Sequence, residues 1–224
     1  MRDCNSEEKP MVAALSLCAD EEEKEAVSKR PWVHEISSHA VIVIACYHQT
    51  STVTMPESKP FERLPQTVVP KHYGLLLKPD LKTFIFEGKE TIDIQVKTST
   101  NKIILNSLDL IIKSAELIQN GKSIKPSDIA LSVEDETITL TFSEPLAIGG
   151  ASLLFDFTGE LNDKMKGFYR SKYKTHYSAV TMLCTTNARR MFPCWDEPAL
   201  KARFTLSVVL RSNLLQALSN MVSI

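Results

Sequence analysis

The stretch Phe84-Ile85-Phe86-Glu87-Gly88-Lys89-Glu90-Thr91-Ile92-Asp93-Ile94-Gln95-Val96 decides the fold class. In its second half apolar Ile92, Ile94 and Val96 alternate with polar Thr91, Asp93 and Gln95. A period of two puts the apolar set on one face of a pleated chain and the polar set on the other, which is the pattern of a half-buried strand. Upstream, Tyr73-Gly74-Leu75-Leu76-Leu77-Lys78-Pro79-Asp80 reads as an extended run stopped by a Pro-Asp turn. Downstream, the runs 103–105, 108–112 and 115–118 are short and apolar, and the alternating runs 129–133 and 137–142 flank Glu134-Asp135-Glu136, which predicts a hairpin. The run 152–157 follows a Gly149-Gly150 turn, and 180–183 and 204–210 complete a set of about seven to nine strands. From residue 66 onward no stretch of helical length shows a clear 3.6-residue apolar period, so the expected fold is mainly β, as two packed sheets or one strongly curved sheet.

The 224 residues are 43% apolar and 24% charged, a composition that excludes a wholly disordered, collagen-like or disulfide-scaffold chain. Lys plus Arg at 26 against Asp plus Glu at 27 leaves a net charge of -1, which offers no general attraction for a phosphate backbone or an acidic membrane, so nucleic acid is not an expected partner. Composition changes near residue 55, where Met55-Pro56-Glu57-Ser58-Lys59-Pro60 leads into Phe61-Glu62-Arg63-Leu64-Pro65. Each proline there pushes its predecessor toward extended backbone. We place the domain boundary at this point: 1–54 reads as an irregular, flexible N-terminal extension without a consistent period, and 55–224 as the β domain.

The five cysteines, Cys4, Cys18, Cys46, Cys184 and Cys194, are an odd and sparse set without a C-x-x-C pair, which points to a reducing compartment. The start, Met1-Arg2-Asp3-Cys4-Asn5-Ser6-Glu7-Glu8, lacks the basic and apolar regions of a secretory signal. The apolar run Ala40–Tyr47 is far short of the roughly 20 residues of a membrane-crossing helix. A cytoplasmic location without a membrane span is the expectation.

Several constellations invite chemistry. His34-Glu35-Ile36-Ser37-Ser38-His39 approaches the H-E-x-x-H zinc signature, but its second histidine is one place late. On a helix, positions i and i+4 lie about 40° apart and i and i+5 about 140°, so one metal cannot be reached by both. Cys184 and Cys194 allow a disulfide, a reactive thiol paired with His176, or two buried free cysteines; the last is the reading we adopt. Asp156, Asp163, Asp196 and Glu197 supply carboxylates, without a calcium or phosphate loop around them. Tyr169, Arg170, Lys172, Tyr173 and Lys174 form a basic-aromatic cluster read as a solvated loop. The run 186–204, which contains Arg189-Arg190-Met191-Phe192-Pro193-Cys194-Trp195-Asp196-Glu197-Pro198, is a long loop between strands. Such a loop is ordered only if side chains pin it, which predicts Arg189 or Arg190 paired with Asp196 or Glu197, and Phe192 and Trp195 buried.

The text F-P-C-W-D-E-P-A-L-K-A-R-F over 192–204 resembles the N-terminal-domain signature of the gluzincin aminopeptidases. The stretch from Met55 to Pro65, L-L-K-P-D-L over 76–81, Phe86-Glu87-Gly88-Lys89, the run 159–173 and Ala217-Leu218-Ser219-Asn220-Met221 look like the puromycin-sensitive branch, in order and at sensible spacing. The resemblance covers roughly residues 55–224. It implies a saddle-like β domain of curved, packed antiparallel and mixed sheets that docks on a thermolysin-like catalytic domain. It further implies a full-length enzyme that removes N-terminal residues from peptides with zinc. The family's G-x-M-E-N and H-E-x-x-H motifs are absent from this sequence, so no catalytic and no metal-binding residue is assigned, and the chain is expected to need no cofactor and to be inactive alone. One family feature does fall inside it: a Gln and a Glu upstream of A-R-x-x-F-P-C that help hold the substrate's α-amino group. Met182 stands at the position of that Gln and Cys184 at that of the Glu. The alternatives are a non-catalytic module that docks on a peptidase, or a truncated product without function.

Overall fold

A computed structural model of the chain describes the backbone of residues 16–18 and residues 62–210 and 216–219. The near-zinc pair His34 and His39 and the apolar run 40–47 lie outside the described residues. The chain divides into two units, Met1–Glu21 with Leu64–Ile224 and Glu22–Arg63, and all but the last two residues of the second unit lie outside the description.

Among the described residues the regular secondary structure is strand, apart from one 3-10 turn at Ala188–Arg190. A six-stranded mixed sheet has the order β12 (Arg203–Val208), β2 (Val68–Asp80), β3 (Ile85–Val96), β9 (Gly149–Glu160), β5 (Leu110–Gln119) and β6 (Lys122–Ile124), with β12 parallel to β2 and the other pairs antiparallel. A three-stranded antiparallel sheet has the order β4 (Thr100–Asn106), β8 (Thr137–Leu146) and β7 (Asp128–Ser132). A four-stranded sheet has the order β10 (Gly167–Tyr173), β11 (His176–Met182), β1 (Ser16–Cys18) and β13 (Gln216–Leu218). β1 comes from the stretch that precedes the Pro-rich lead-in.

The alternation that set the fold class extends through all of β3. Phe86, Gly88, Glu90, Ile92, Ile94 and Val96 are buried, and Ile85, Glu87, Lys89, Thr91 and Asp93 are exposed. The buried series meets Leu153, Phe155 and Phe157 of β9, Tyr73, Leu75 and Leu77 of β2, and Ile103, Leu105, Ile138, Leu140 and Phe142 of the three-stranded sheet in one apolar core. Gly88 is required by that packing: a Cβ there would lie 2.3 Å from Cζ of Phe157, whose ring fills the space. The opposite face of the six-stranded sheet is solvent-exposed: it mixes the apolar side chains of Leu76, Ile85, Ile111 and Ile118 with cross-strand charge pairs such as Lys78 Nζ with Glu87 at 3.1 Å.

The expected hairpin across Glu134–Glu136 is present, with Ile129 opposite Leu140 and Leu131 opposite Ile138. Two expectations need correction. Residues 110–112 of the first run and the whole of 115–118 belong to a single strand, β5, in which an irregularity between Ile112 and Ser114 shifts the pairing and breaks the sequence alternation at Lys113. The basic-aromatic cluster is a strand rather than a solvated loop. β10 buries Phe168 and Tyr169, Arg170 lies 4.7 Å above the ring of Phe84 and pairs with Asp163 at 3.2 Å, and Lys172 lies 5.6 Å above the ring of Tyr177. Long basic side chains resting on rings conceal the period of two in the sequence.

Candidate functional site

The loop that follows β11 is pinned to several parts of the domain. Asn106, at the end of β4, exchanges two backbone hydrogen bonds with Cys194: Asn106 N donates to Cys194 O at 2.7 Å and Cys194 N to Asn106 O at 2.9 Å. Asp196 N donates to Asn106 Oδ1 at 3.2 Å, and Trp195 N donates to the Tyr73 hydroxyl at 3.2 Å. Glu197 Oε1 accepts from Leu64 N at 2.7 Å. The predicted ion pair is Arg189 with Asp196, Nε to Oδ2 at 3.0 Å, and the same guanidinium reaches Glu136 Oε2 at 2.8 Å, in the turn between β7 and β8. Arg190 instead pairs with Asp109. Phe192 and Trp195 are both 4% exposed, as the loop's composition requires.

Apolar and acid-base effects converge beneath this loop. Tyr73 stacks on Phe204 at 4.7 Å between ring centroids and meets Phe192 edge-on at 5.9 Å. Burial, followed by the nearby Asp196 and Glu90, holds the Cys194 thiol well above its ordinary range despite Arg189, and burial raises the Tyr73 phenol in the same way. Both groups are therefore held in their neutral forms, the Tyr73 hydroxyl as the acceptor for Trp195 N and Cys194 as a packed thiol.

The site residues named from the sequence lie at the far end of β11. Met182 is the last residue of that strand, opposite Gly167 of β10, and is 39% exposed. Cys184 follows two residues later, exposed and free, in a turn closed by Asn187 N to Leu183 O at 3.2 Å and by Asn187 Nδ2, which donates to Cys184 O at 2.5 Å. The expectation of two buried cysteines is corrected for Cys184, which lies past the strand end where no facing sheet covers it; Cys194 is buried, as expected. Cys184 is also separated from His176, which begins β11 at the hairpin tip: six strand residues at about 3.3 Å each put roughly 20 Å between the two ends. A Cys–His nucleophile from this pair is excluded. The link from Met182 and Cys184 to the pinned loop is Gly167, whose φ of +68° suits glycine, and where a Cβ would stand 2.7 Å from Cβ of Arg190.

Sequence reasoning missed Asn106, Glu136, Tyr73 and Asp109 as partners of the loop. They are between 53 and 122 positions from the residues they bind, and no local pattern marks them. A second polar constellation lies on the outer sheet face: His72 Nε2 is 2.8 Å from Thr205 Oγ1, His72 Nδ1 is 3.6 Å from Asp93 Oδ2, and Ser152 Oγ donates to Asp93 Oδ1 at 2.9 Å. His72 and Asp93, and Asp93 and Ser152, are directly opposed in register, so pairing of the strands by itself accounts for this solvent-facing ladder.

A mainly β domain closed by this pinned loop belongs to a recognisable class. Residues 69–224 match the family described as the Peptidase M1 N-terminal domain, so the chain belongs to the M1 peptidase family through its N-terminal domain. It is similar to aminopeptidase 2 of Candida albicans, 46% identical over 153 residues that cover 66% of this chain and 16% of the relative. It is similar also to the puromycin-sensitive aminopeptidase of Caenorhabditis elegans, 41% identical over 169 residues, 72% of this chain and 18% of the relative. The mitochondrial aminopeptidase 2 of Saccharomyces cerevisiae is 42% identical over 172 residues, 71% and 17%. The chain thus spans less than a fifth of the length of these curated relatives. Among the described residues no group of three or more His, Cys, Asp or Glu is placed to hold a metal ion. Nor is any described helix long and apolar enough to cross a membrane.

Proposed function

We propose that this chain is the N-terminal β domain of a puromycin-sensitive-type zinc aminopeptidase of the cytoplasm, which in full-length form removes N-terminal residues from peptides. On this reading the 224 residues, which carry neither the zinc nor the exopeptidase motif, are inactive alone. The observation that carries the proposal is the match of 69–224 to the M1 N-terminal domain. Its partner is the catalytic domain of an aminopeptidase, and it meets peptide substrate only in that context. Met182 and Cys184 take the positions that face the substrate's α-amino group. A neutral thiol cannot give an ammonium the charge-assisted hydrogen bond that a carboxylate gives, so the site binds free-amine peptides weakly.

The test is an assay of the purified chain with aminoacyl-anilide substrates and elemental analysis for zinc, beside a fusion of the whole chain to a related catalytic domain. The chain alone should neither hydrolyse substrate nor hold stoichiometric zinc, and the fusion should do both. Chelator-sensitive hydrolysis by the chain alone would overturn the reading. Saturable inhibition of an intact peptidase by the free chain would favour a docking module instead.

A further inference from the structure

Glu90 departs from the rule that the rest of its strand obeys. Positions 86, 88, 92, 94 and 96 of β3 send apolar side chains or a hydrogen into the core, and Glu90 sits in the middle of that series at 2% exposure. Its cross-strand neighbours are Leu75 on β2 and Phe155 on β9, both buried. Neither Oε1 nor Oε2 has a hydrogen-bond partner among the described residues. A carboxylate in that position would give up its hydration and receive nothing in exchange.

The titratable and charged groups that face Glu90 offer no compensation. β2 contributes Tyr73, and the pinned loop contributes Cys194, with Asp196 and Arg189 behind it; β9 contributes only the ring of Phe155. The phenol and the thiol are both raised by burial and stay neutral. The Arg189 guanidinium is already held by Asp196 and Glu136.

We propose that Glu90 is a proton-dependent latch beneath the pinned loop. With its proton bound, the carboxyl stays in the core and the Tyr73–Cys194–Trp195 corner closes over β3. When the proton is lost, the carboxylate leaves the core and the corner opens. Burial does raise this carboxyl well above the ordinary range, consistent with the geometry. The unfolded chain loses the Glu90 proton near pH 4.3 and the folded chain keeps it to higher pH, so between those values the folded state binds one more proton. Stability is fully present below the unfolded value, falls as pH rises through this window, and levels off only above the folded value.

The experiment is urea unfolding of the whole chain from pH 5 to 9 for wild type, Glu90→Gln and Glu90→Leu. Iodide quenching of Trp195 is followed in a Trp32→Phe background. The unfolding constant of wild type relative to either variant should rise about tenfold per pH unit while the folded form alone is protonated. Trp195, 4% exposed, should become more open to quencher with rising pH in wild type and in neither variant. Should the Gln variant fail to fold, the Leu variant, which is neutral and apolar, serves as reference. Parallel stability profiles for wild type and the folded variants overturn the proposal. A stability difference without a change at Trp195 overturns it as well, since the loop would then be uncoupled from the proton.

Discussion

Arg189 and Asp196 meet at 3.0 Å, with side chains only 10% and 13% exposed, and tie the first turn of the loop to its last third. The same guanidinium crosses to Glu136, 53 residues earlier in the chain, so one side chain couples the loop to the three-stranded sheet. Because the pair is inside the domain, removing one partner leaves a charge without hydration. Arg189→Ala should therefore cost about 3–5 kcal/mol in urea unfolding. Arg189→Lys, which keeps the charge but loses the two-armed geometry, should recover only part of it. A loss under 1 kcal/mol for the Ala variant would show that water reaches the pair.

Gly88 leaves the space that Phe157 fills. A Cβ at 2.3 Å from Cζ of that ring forces the ring or the strand to move. Gly88→Ala should destabilise by about 1–3 kcal/mol or more, as overpacking does. Phe157→Leu in the same molecule should recover part of that loss, and a double-mutant cycle measures the coupling. Additive effects would contradict the contact.

Thiol chemistry distinguishes the two described free cysteines. Cys184 is exposed, whereas Cys194 is buried and its thiol is held protonated. A disulfide reagent at neutral pH should modify Cys184 in the native chain and reach Cys194 only after denaturation, as peptide mapping of wild type and Cys184→Ser will show. Rapid native labelling of Cys194 would mean that the loop opens at neutral pH.

Within the proposed function, Cys184 has a sharper test. In a chimera of the whole chain with a related catalytic domain, Cys184→Glu should raise kcat/KM for free-amine peptides by about tenfold, roughly 1.4 kcal/mol, the scale of one hydrogen bond to a charged group. Blocked-amine peptides should not gain. A folded, active chimera without this gain removes Cys184 from the substrate site.

The sequence by itself determined the fold class, the hairpin across Glu134–Glu136, and the burial of Phe192 and Trp195 under a loop held by a pair between an arginine and a carboxylate. These are local matters: a period of two is written into 91–96, and a Pro-rich loop carrying large apolar side chains is ordered only by burying them. Family membership was legible because F-P-C-W-D-E-P is a contiguous text. Only the tertiary structure decided which arginine pairs with which acid, that Asn106, Glu136 and Tyr73 receive the loop, and that β10 is a strand. It also decided that Cys184 lies about a strand's length from His176, and that Glu90, one polar letter in an alternating run, sits in the core without a partner. Each of these depends on contacts between residues far apart in the chain, or on which face of a strand is covered, and pairing register and burial exist only once the sheets have packed.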